Sequence, residues 1–149
     1  MLSLHEWGAR WGIPEAALRD FTRSFIPESV PGATGSESKA QAEIQMAVAR
    51  AGGRLLRNNS GAATDATGRP VRFGLGNTSA AVNRAMKSSD LIGWLPDGRF
   101  LAIEVKAPGW KYRGTPREQA QLNFIKLVIS FGGWAQFATC VEDLKWIKT

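Results

Sequence analysis

The chain has 149 residues, of which 44% are apolar and 21% charged, a composition typical of one small globular domain. The single Cys140 excludes an intramolecular disulfide and cysteine-based zinc sites, and the single His5 argues against histidine-based catalysis. The net charge of +6 favours a polyanionic partner. The lack of a long apolar run leads us to expect a soluble intracellular protein with no membrane partner.

The first 35 residues are predicted to form a short helical arm and a linker. Ser3 to Glu6 is typical of a capping box that begins a helix. Pro14 suits the first turn of a second helix, which we expect to continue to about Phe25. Pro27 to Gly35 is dense in linker residues. Residues 1–36 hold three Arg against four acids, which favours a packing or dimerisation arm over a DNA-reading helix-turn-helix.

Residues 36–149 are predicted to form the main domain, which begins with a helix and a strand. An apolar stripe at helical spacing predicts a helix from Glu37 to about Ala51, in which Glu37 and Gln41 project from one face. A helix-capping role for Glu37 is the simpler alternative to a functional one. Arg54 to Asn58 is a predicted strand, and a polar loop is expected to begin at Asn59.

The next segment, Thr64 to Lys87, is predicted to be a long polar loop with little regular structure. Val71 to Phe73 can form a short strand, and Asn77 to Met86 can hold a helical turn. The region from Arg50 to Lys87 carries seven cations and one acid, Asp65. A loop of this kind is often functional, and we expect it to shape a nucleic-acid groove.

The strongest functional signal is a predicted β-hairpin. Leu91 to Leu95 and Phe100 to Val105 are strand-like runs, and the turn residues Pro96, Asp97 and Gly98 join them. With these three as the loop, Leu95 faces Arg99 and Asp90 faces Glu104. Side chains alternate along a strand, so Glu104 and Lys106 share one face while Leu101, Ile103 and Val105 share the other.

Two opposed carboxylates repel each other unless a proton or a cation lies between them. Hard divalent cations such as Mg²⁺ are held by one or two carboxylates, and a nearby lysine can orient or activate a water or neutralise phosphate charge. Asp90, Glu104 and Lys106 therefore suit metal-assisted phosphodiester hydrolysis. The alternative is a strand cap at Asp90 with a solvated Glu104–Lys106 pair.

The remainder of the chain completes an α/β pattern. Ala107 to Gly114 is a basic loop with interleaved aromatic residues, as nucleic-acid strands favour. Thr115 is a predicted N-cap of a helix that continues to about Phe131 and carries Gln119 on its first turn. Trp134 to Thr139 is a predicted strand, and Val141 to Ile147 a predicted closing helix.

These residues resemble a known family. An acid followed by Glu-x-Lys on the next strand is the signature of the PD-(D/E)xK nuclease superfamily, and the surrounding sequence is similar to the virus-type replication-repair nuclease domain, VRR-NUC. The matching pieces are Glu37–Gln41, Arg57–Ala62, Ser89–Gly93, Gly98–Lys106, Gln119 and Gly132–Gly133. They cover about residues 36 to 143. The ordered set is specific, whereas Glu-x-Lys alone is not.

The resemblance implies a restriction-endonuclease-like core of a helix, three to four strands, a helix and a strand, preceded by the short N-terminal helical arm. It implies that Asp90, Glu104, the Val105 carbonyl and Glu37 hold Mg²⁺ or Mn²⁺. Lys106 would act on the attacking water, with Glu37 and Gln119 assisting and Gln41 in support. The expected nucleic-acid contacts are Arg57, Asn58, Asn59, Arg72, Lys87, Ser89, Lys111 and Arg113. For Asn58 and Asn59 the alternative is a bond to a neighbouring loop or an ordinary turn.

The function implied is cleavage of branched DNA, Holliday junctions first, by a homodimer in a viral or bacterial host cytoplasm. A general repair or replication endonuclease is the second possibility, and members fused to other domains act on flaps. A DNA-binding module of the same fold without nuclease activity stays open as an alternative. A structural or packaging protein that uses its six tryptophans for protein contacts is a third.

Overall fold

The computed structural model describes residues 4–18 and 36–147, in which helices alternate with short strands. The elements are α1 (Leu4–Arg10), α2 (Ser36–Arg50), β1 (Arg54–Arg57), β2 (Gly61–Thr64), β3 (Pro70–Phe73), α3 (Ala80–Ala85), β4 (Leu91–Trp94), β5 (Phe100–Val105), α4 (Pro116–Ser130), β6 (Trp134–Ala138) and a 3-10 helix (Val141–Asp143). Residues 15–18 are also helical. No helix in these two ranges is long and apolar enough to cross a bilayer.

The predicted first helix of the N-terminal arm is confirmed as α1, and the second begins close to Pro14, as expected. Gly8 is buried against the side chain of Leu18, so the two helical stretches pack together where glycine leaves space. The predicted cap at Ser3, the remainder of the second helix to Phe25 and the linker from Pro27 to Gly35 lie outside the described residues.

The main domain is built on a four-stranded mixed sheet with the order β1-β4-β5-β6. The β1–β4 and β4–β5 pairs are antiparallel, and β5 and β6 are parallel because α4 carries the chain back across the sheet. The α/β fold class is therefore confirmed at this level.

Each face of the sheet has its own apolar layer. On one face α2 and the 3-10 helix pack against the sheet through Ala40, Ile44, Val48, Leu55, Leu91, Leu101, Ile103, Val105 and Leu144. On the other face α4 packs through Phe124, Ile125 and Val128 onto Ala102 and Ala135. The alternation along β5 sends Leu101, Ile103 and Val105 to the α2 layer, as predicted, and leaves Glu104 in register with Ala102 on the α4 side.

The β4–β5 hairpin has the predicted register. Leu91 pairs with Ile103 and Trp94 with Phe100, and the Leu95 N–H donates to the Arg99 carbonyl over 2.8 Å. Gly98 has a φ of 87°, a left-handed conformation that the three-residue turn requires. One further step in this register places Asp90 opposite Glu104.

Two expectations for other elements were wrong. The segment from Asn59 to Ala63, expected to be loop, contains β2, which pairs with β3 in a separate two-stranded sheet. The closing helix expected over Val141 to Ile147 is only the 3-10 turn Val141–Asp143.

Candidate active site

The two predicted acids lie at the same end of the β4–β5 pair. Asp90 immediately precedes β4 and is half-buried. Its Oδ2 accepts a hydrogen bond of 3.1 Å from the Val105 N–H, which ties the carboxylate to the neighbouring strand. Glu104 on β5 is 1% exposed, and the charge of Asp90 acts directly on it. The structure therefore brings Asp90 and Glu104 together, as the sequence predicted.

A buried polar cluster joins Glu104 to Lys106 and to Gln121 on α4. Lys106 Nζ lies 2.9 Å from Glu104 Oε1 and donates a second hydrogen bond of 2.9 Å to Gln121 Oε1. Gln121 Nε2 in turn donates to Glu104 Oε1. The Lys106 side chain keeps 14% of its surface exposed. An ammonium group has three N–H donors, so one stays available on the solvent side.

Burial, as the larger cause, and the neighbouring charge of Asp90 together raise the pKa of Glu104 from 4.5 to about 7. The hydrogen bond and the charge of Lys106 oppose this shift. The Oε2 atom of Glu104 is buried and has no hydrogen-bond partner among the described residues. A buried carboxylate oxygen without a donor is costly, and a cation or a proton at this position would relieve the cost.

The donor set fits a hard divalent cation that is completed by water and substrate. Within residues 4–18 and 36–147, no three His, Cys, Asp or Glu side chains are arranged to hold a metal ion. Mg²⁺ does not require three, because it is commonly held by one or two carboxylates with waters and phosphate oxygens in its other positions. Asp90, Glu104 and the Val105 carbonyl are the groups that would hold it.

The predicted assisting acid is Glu37, at the start of α2. Glu37 is exposed in the first turn of α2 and belongs to no three-acid group in the described chain. Gln41, one turn later, is half-buried. The contribution of both residues to a metal site stays a prediction.

The glutamine beside the lysine is Gln121 and not the predicted Gln119. Gln119 is exposed and bonds to Tyr112 and Asn123, not to Lys106. Gln121 takes that place because α4 packs on the sheet through positions 121, 124, 125 and 128, a helical stripe that excludes 119. The sequence carries no clear signal for Gln121, because apolar residues occupy both buried and exposed positions of α4.

Two predicted nucleic-acid contacts instead hold the loop before Asp90. The Asn58 side chain donates to Ser88 Oγ over 2.8 Å and to the Ser89 carbonyl over 2.9 Å, and the Asn58 N–H donates to the Asp90 carbonyl over 2.7 Å. Ser89 is 1% exposed, so its side chain is closed to DNA in this conformation. These contacts position Asp90, and a contact of Asn58 with nucleic acid stays a prediction.

The other predicted contacts are accessible. Arg57, Asn59, Arg72, Lys111 and Arg113 are exposed, and Lys87 is half-buried. Arg57 ends β1 and pairs with Leu91, the neighbour of Asp90.

The aromatic loop after β5 folds over the lysine. The Trp110 and Phe137 rings pack with centroids 4.9 Å apart, and each centroid lies 5.7 Å from Lys106 Nζ. Trp110 Nε1 donates to Glu118 over 3.0 Å, and Glu118 also closes the predicted capping box with Thr115. Trp110 and Phe137 therefore cover part of the Lys106 side chain, which strengthens the interaction of Lys106 with Glu104.

In comparisons with known proteins, no family model, no curated protein and no solved structure matched this chain. Any inference about function therefore depends on the chemistry and geometry of Asp90, Glu104 and Lys106.

Proposed function

We propose that this chain is a Mg²⁺- or Mn²⁺-dependent endodeoxyribonuclease. The observation that carries the proposal is the position of Asp90 opposite buried Glu104, with Lys106 Nζ 2.9 Å from the Glu104 carboxylate. This cluster combines an unpartnered carboxylate oxygen with a partly exposed ammonium group. Those are the parts that hydrolysis of a phosphodiester requires.

Each residue has a distinct role in the proposal. Asp90 and Glu104 hold the cation, and Lys106 uses its remaining N–H to orient the attacking water or to bind a phosphate oxygen. The water oxygen forms a bond to phosphorus and releases a proton to solvent, while the bond to the leaving sugar oxygen breaks and that oxygen takes up a proton from solvent. When bound, Mg²⁺ or Mn²⁺ supplies Lewis-acid polarisation of the phosphodiester. Gln121 fixes the ammonium group relative to Glu104.

The charge distribution supports DNA as the substrate. Residues 37–149 hold 16 cations and nine acids, and Arg57, Lys111 and Arg113 are exposed on segments that adjoin the acidic pair. Cations around a metal site bring a polyanion to it and make binding dependent on salt.

The architecture supports a restriction-endonuclease-like core of the VRR-NUC type. The mixed sheet lies between α2 and α4, and the catalytic candidates lie on its central strands β4 and β5. Within this class we favour branched DNA, Holliday junctions first. A homodimer fits such a substrate because two symmetric cuts need two sites.

The test is cleavage of a labelled four-way junction and a matched linear duplex with Mg²⁺, with Mn²⁺ and with chelator. We expect metal-dependent cleavage that Asp90→Asn and Lys106→Ala abolish. Asp97→Asn is the matched control, because Asp97 is an exposed acid in the turn of the same hairpin. Cleavage that persists in Asp90→Asn or in chelator would overturn the proposal. The mass in solution tests the dimer.

The lack of a third acid at the site, within the described ranges, favours a second candidate, a DNA-binding module without turnover. That module would bind the junction in a strongly salt-dependent manner and leave it intact in every metal. The same assay separates the two candidates.

A further inference from the structure

The hairpin formed by β2 and β3 is a two-stranded ribbon outside the central sheet. Gly61 pairs with Phe73 and Thr64 with Pro70, and seven of its eight strand residues are exposed. Such a ribbon buries too little apolar surface to be stable alone. Its conformation must therefore be held from its base, and its exposed length is free to meet a partner.

A buried asparagine fixes the base of the ribbon. Asn77 is 4% exposed, and its Nδ2 donates to the carbonyls of Gly61 over 2.7 Å and Phe73 over 2.9 Å. Gly74 follows with a φ of 98°, and a Cβ there would lie 2.8 Å from the Asn59 carbonyl oxygen. These contacts set the direction in which the ribbon leaves the domain.

The same base is joined to the loop that carries Asp90. Ser88 Oγ donates to the Leu75 carbonyl over 2.7 Å and accepts from Asn58 over 2.8 Å. Asn58 also bonds to the Ser89 and Asp90 carbonyls. A chain of hydrogen bonds thus links the end of β3 to the residue before β4, so the ribbon begins beside the acidic pair.

The ribbon carries more cations than acids. Its tip contains Asp65, whose Oδ1 accepts from the N–H and hydroxyl of Thr67 and the N–H of Arg69; these bonds hold the turn and lower the pKa of Asp65. Arg69 follows the turn, and Arg72 lies on the ribbon itself, where its Nη1 donates to Asn77 Oδ1 over 3.3 Å; both arginines are exposed. Two cations against one acid leave a positive surface that complements a polyanion.

We propose that this ribbon is a DNA-binding element that lies in a groove of the duplex next to the scissile phosphate, with Arg69 and Arg72 on the phosphates. The inference rests on the proposed nuclease function. The major groove of B-DNA admits a two-stranded ribbon. Four residues per strand at about 3.4 Å each span about 14 Å, or about four base pairs. The fixed base would align that duplex arm with Asp90.

The test measures the affinity of Arg69→Ala, Arg72→Ala and the double variant for a fluorescent four-way junction, in chelator, across a salt series. Removal of one phosphate-binding arginine should reduce the slope of log K against log salt by about 0.9. Between about 50 and 200 mM salt, wild type should lose about 3.5-fold more affinity than either single variant. Arg99→Ala removes a cation at the other end of the β4–β5 hairpin and should keep the wild-type slope.

Two results would overturn the inference about the ribbon. The first is binding by wild type with the same slope in Arg69→Ala and in the double variant. The second is a Val71→Ser variant that binds the junction with unchanged affinity but has a different mass in solution. That result would show that the ribbon contacts protein and not DNA. Val71 is exposed on the opposite face from Arg72. Failure of the proposed nuclease function is distinguishable, because wild type would then leave the junction uncut with Mg²⁺ and Mn²⁺, whereas the test of the ribbon measures binding in chelator. Arg69 lies outside the strands, so Arg69→Ala decides the question even where the double variant does not fold.

Discussion

In the metal-free protein, Glu104→Gln should remove the loss of unfolding free energy that accompanies ionisation of Glu104 as the pH rises. Glu104 has a folded-state pKa of about 7 against an ordinary value of 4.5, because burial and the charge of Asp90 disfavour its ionised form. The folded protein therefore binds the proton more tightly than the unfolded chain does. The associated stability is complete below the ordinary pKa and is lost as the pH rises through about 7.

The magnitude follows from the two pKa values. The difference between 4.5 and about 7 corresponds to about 3 kcal/mol, at about 1.36 kcal/mol per pH unit. The pKa values of some other carboxyls are shifted down, so these groups change the stability with pH in the opposite sense. The hydrogen bonds that Glu118 accepts, for example, lower its pKa. Comparison with Glu104→Gln at each pH isolates Glu104, since glutamine keeps an oxygen for Lys106 and Gln121 but does not ionise.

Urea unfolding in chelator, from about pH 5 to about pH 8, measures the effect. The free energy of unfolding of wild type should fall relative to that of Glu104→Gln by about 2.5 kcal/mol over this range, because part of the total loss occurs below about pH 5. Parallel curves for the two proteins would refute the reasoning, because Glu104 would then ionise like an exposed carboxyl. Added Mn²⁺ should stabilise wild type at about pH 8 and leave Glu104→Gln unchanged, since ligand binding to the folded state alone stabilises it.

Further predictions concern the residues that hold the site. Gln121→Ala should lower the free energy of unfolding in urea by about 1–3 kcal/mol and should lower kcat, because it removes a partner from buried Glu104 and from Lys106. Gln119 is exposed, so Gln119→Ala should change the free energy of unfolding by no more than about 0.5 kcal/mol and kcat by no more than the corresponding factor. Asn58→Ala should lower the free energy of unfolding by about 1–3 kcal/mol and reduce cleavage, since it removes two hydrogen bonds from the loop before Asp90. Asn59→Ala should leave the free energy of unfolding unchanged. Equal effects within either pair of variants would contradict the hydrogen bonds described for Gln121 and Asn58.

The β4–β5 hairpin could be predicted from the sequence because its register depends on local chemistry. Pro96, Asp97 and Gly98 define a three-residue loop, and a strand period of two then fixes every opposite pair back to Asp90 and Glu104. The N-terminus of α4 was predictable for the same reason, since Thr115 and Glu118 carry the whole capping box.

The remaining features depend on contacts distant in sequence. Strand β2 is Gly-Ala-Ala-Thr and has no apolar alternation, so its pairing with β3 and the anchor at Asn77 determine its conformation. Gln121 reaches Lys106 because α4 turns that face towards the sheet. The sequence does not predict which face is buried, since apolar residues occupy both buried and exposed positions of the helix. Ser89 looked accessible beside Asp90 in the sequence, and only the Asn58 contact shows why its segment is buried.

The charge balance at the site gives the strongest reason to expect a cation there. Asp90 and ionised Glu104 contribute two negative charges. Lys106, the nearest counter-charge, contributes one positive charge, and the charge of Arg117 also acts on Glu104 more weakly. Lys106 bonds to Oε1, so Oε2 is left buried without a donor among the described residues. If Glu104 were only an ion-pair partner for Lys106, a solvent-exposed carboxylate would stabilise the fold equally well. Exposed ion pairs contribute little to stability, and buried ion pairs carry a desolvation penalty. Holding the acid in a buried position beside a second acid is unfavourable for stability and favourable for binding a divalent ion, so the stability lost at alkaline pH and the affinity for Mn²⁺ should disappear together in Glu104→Gln.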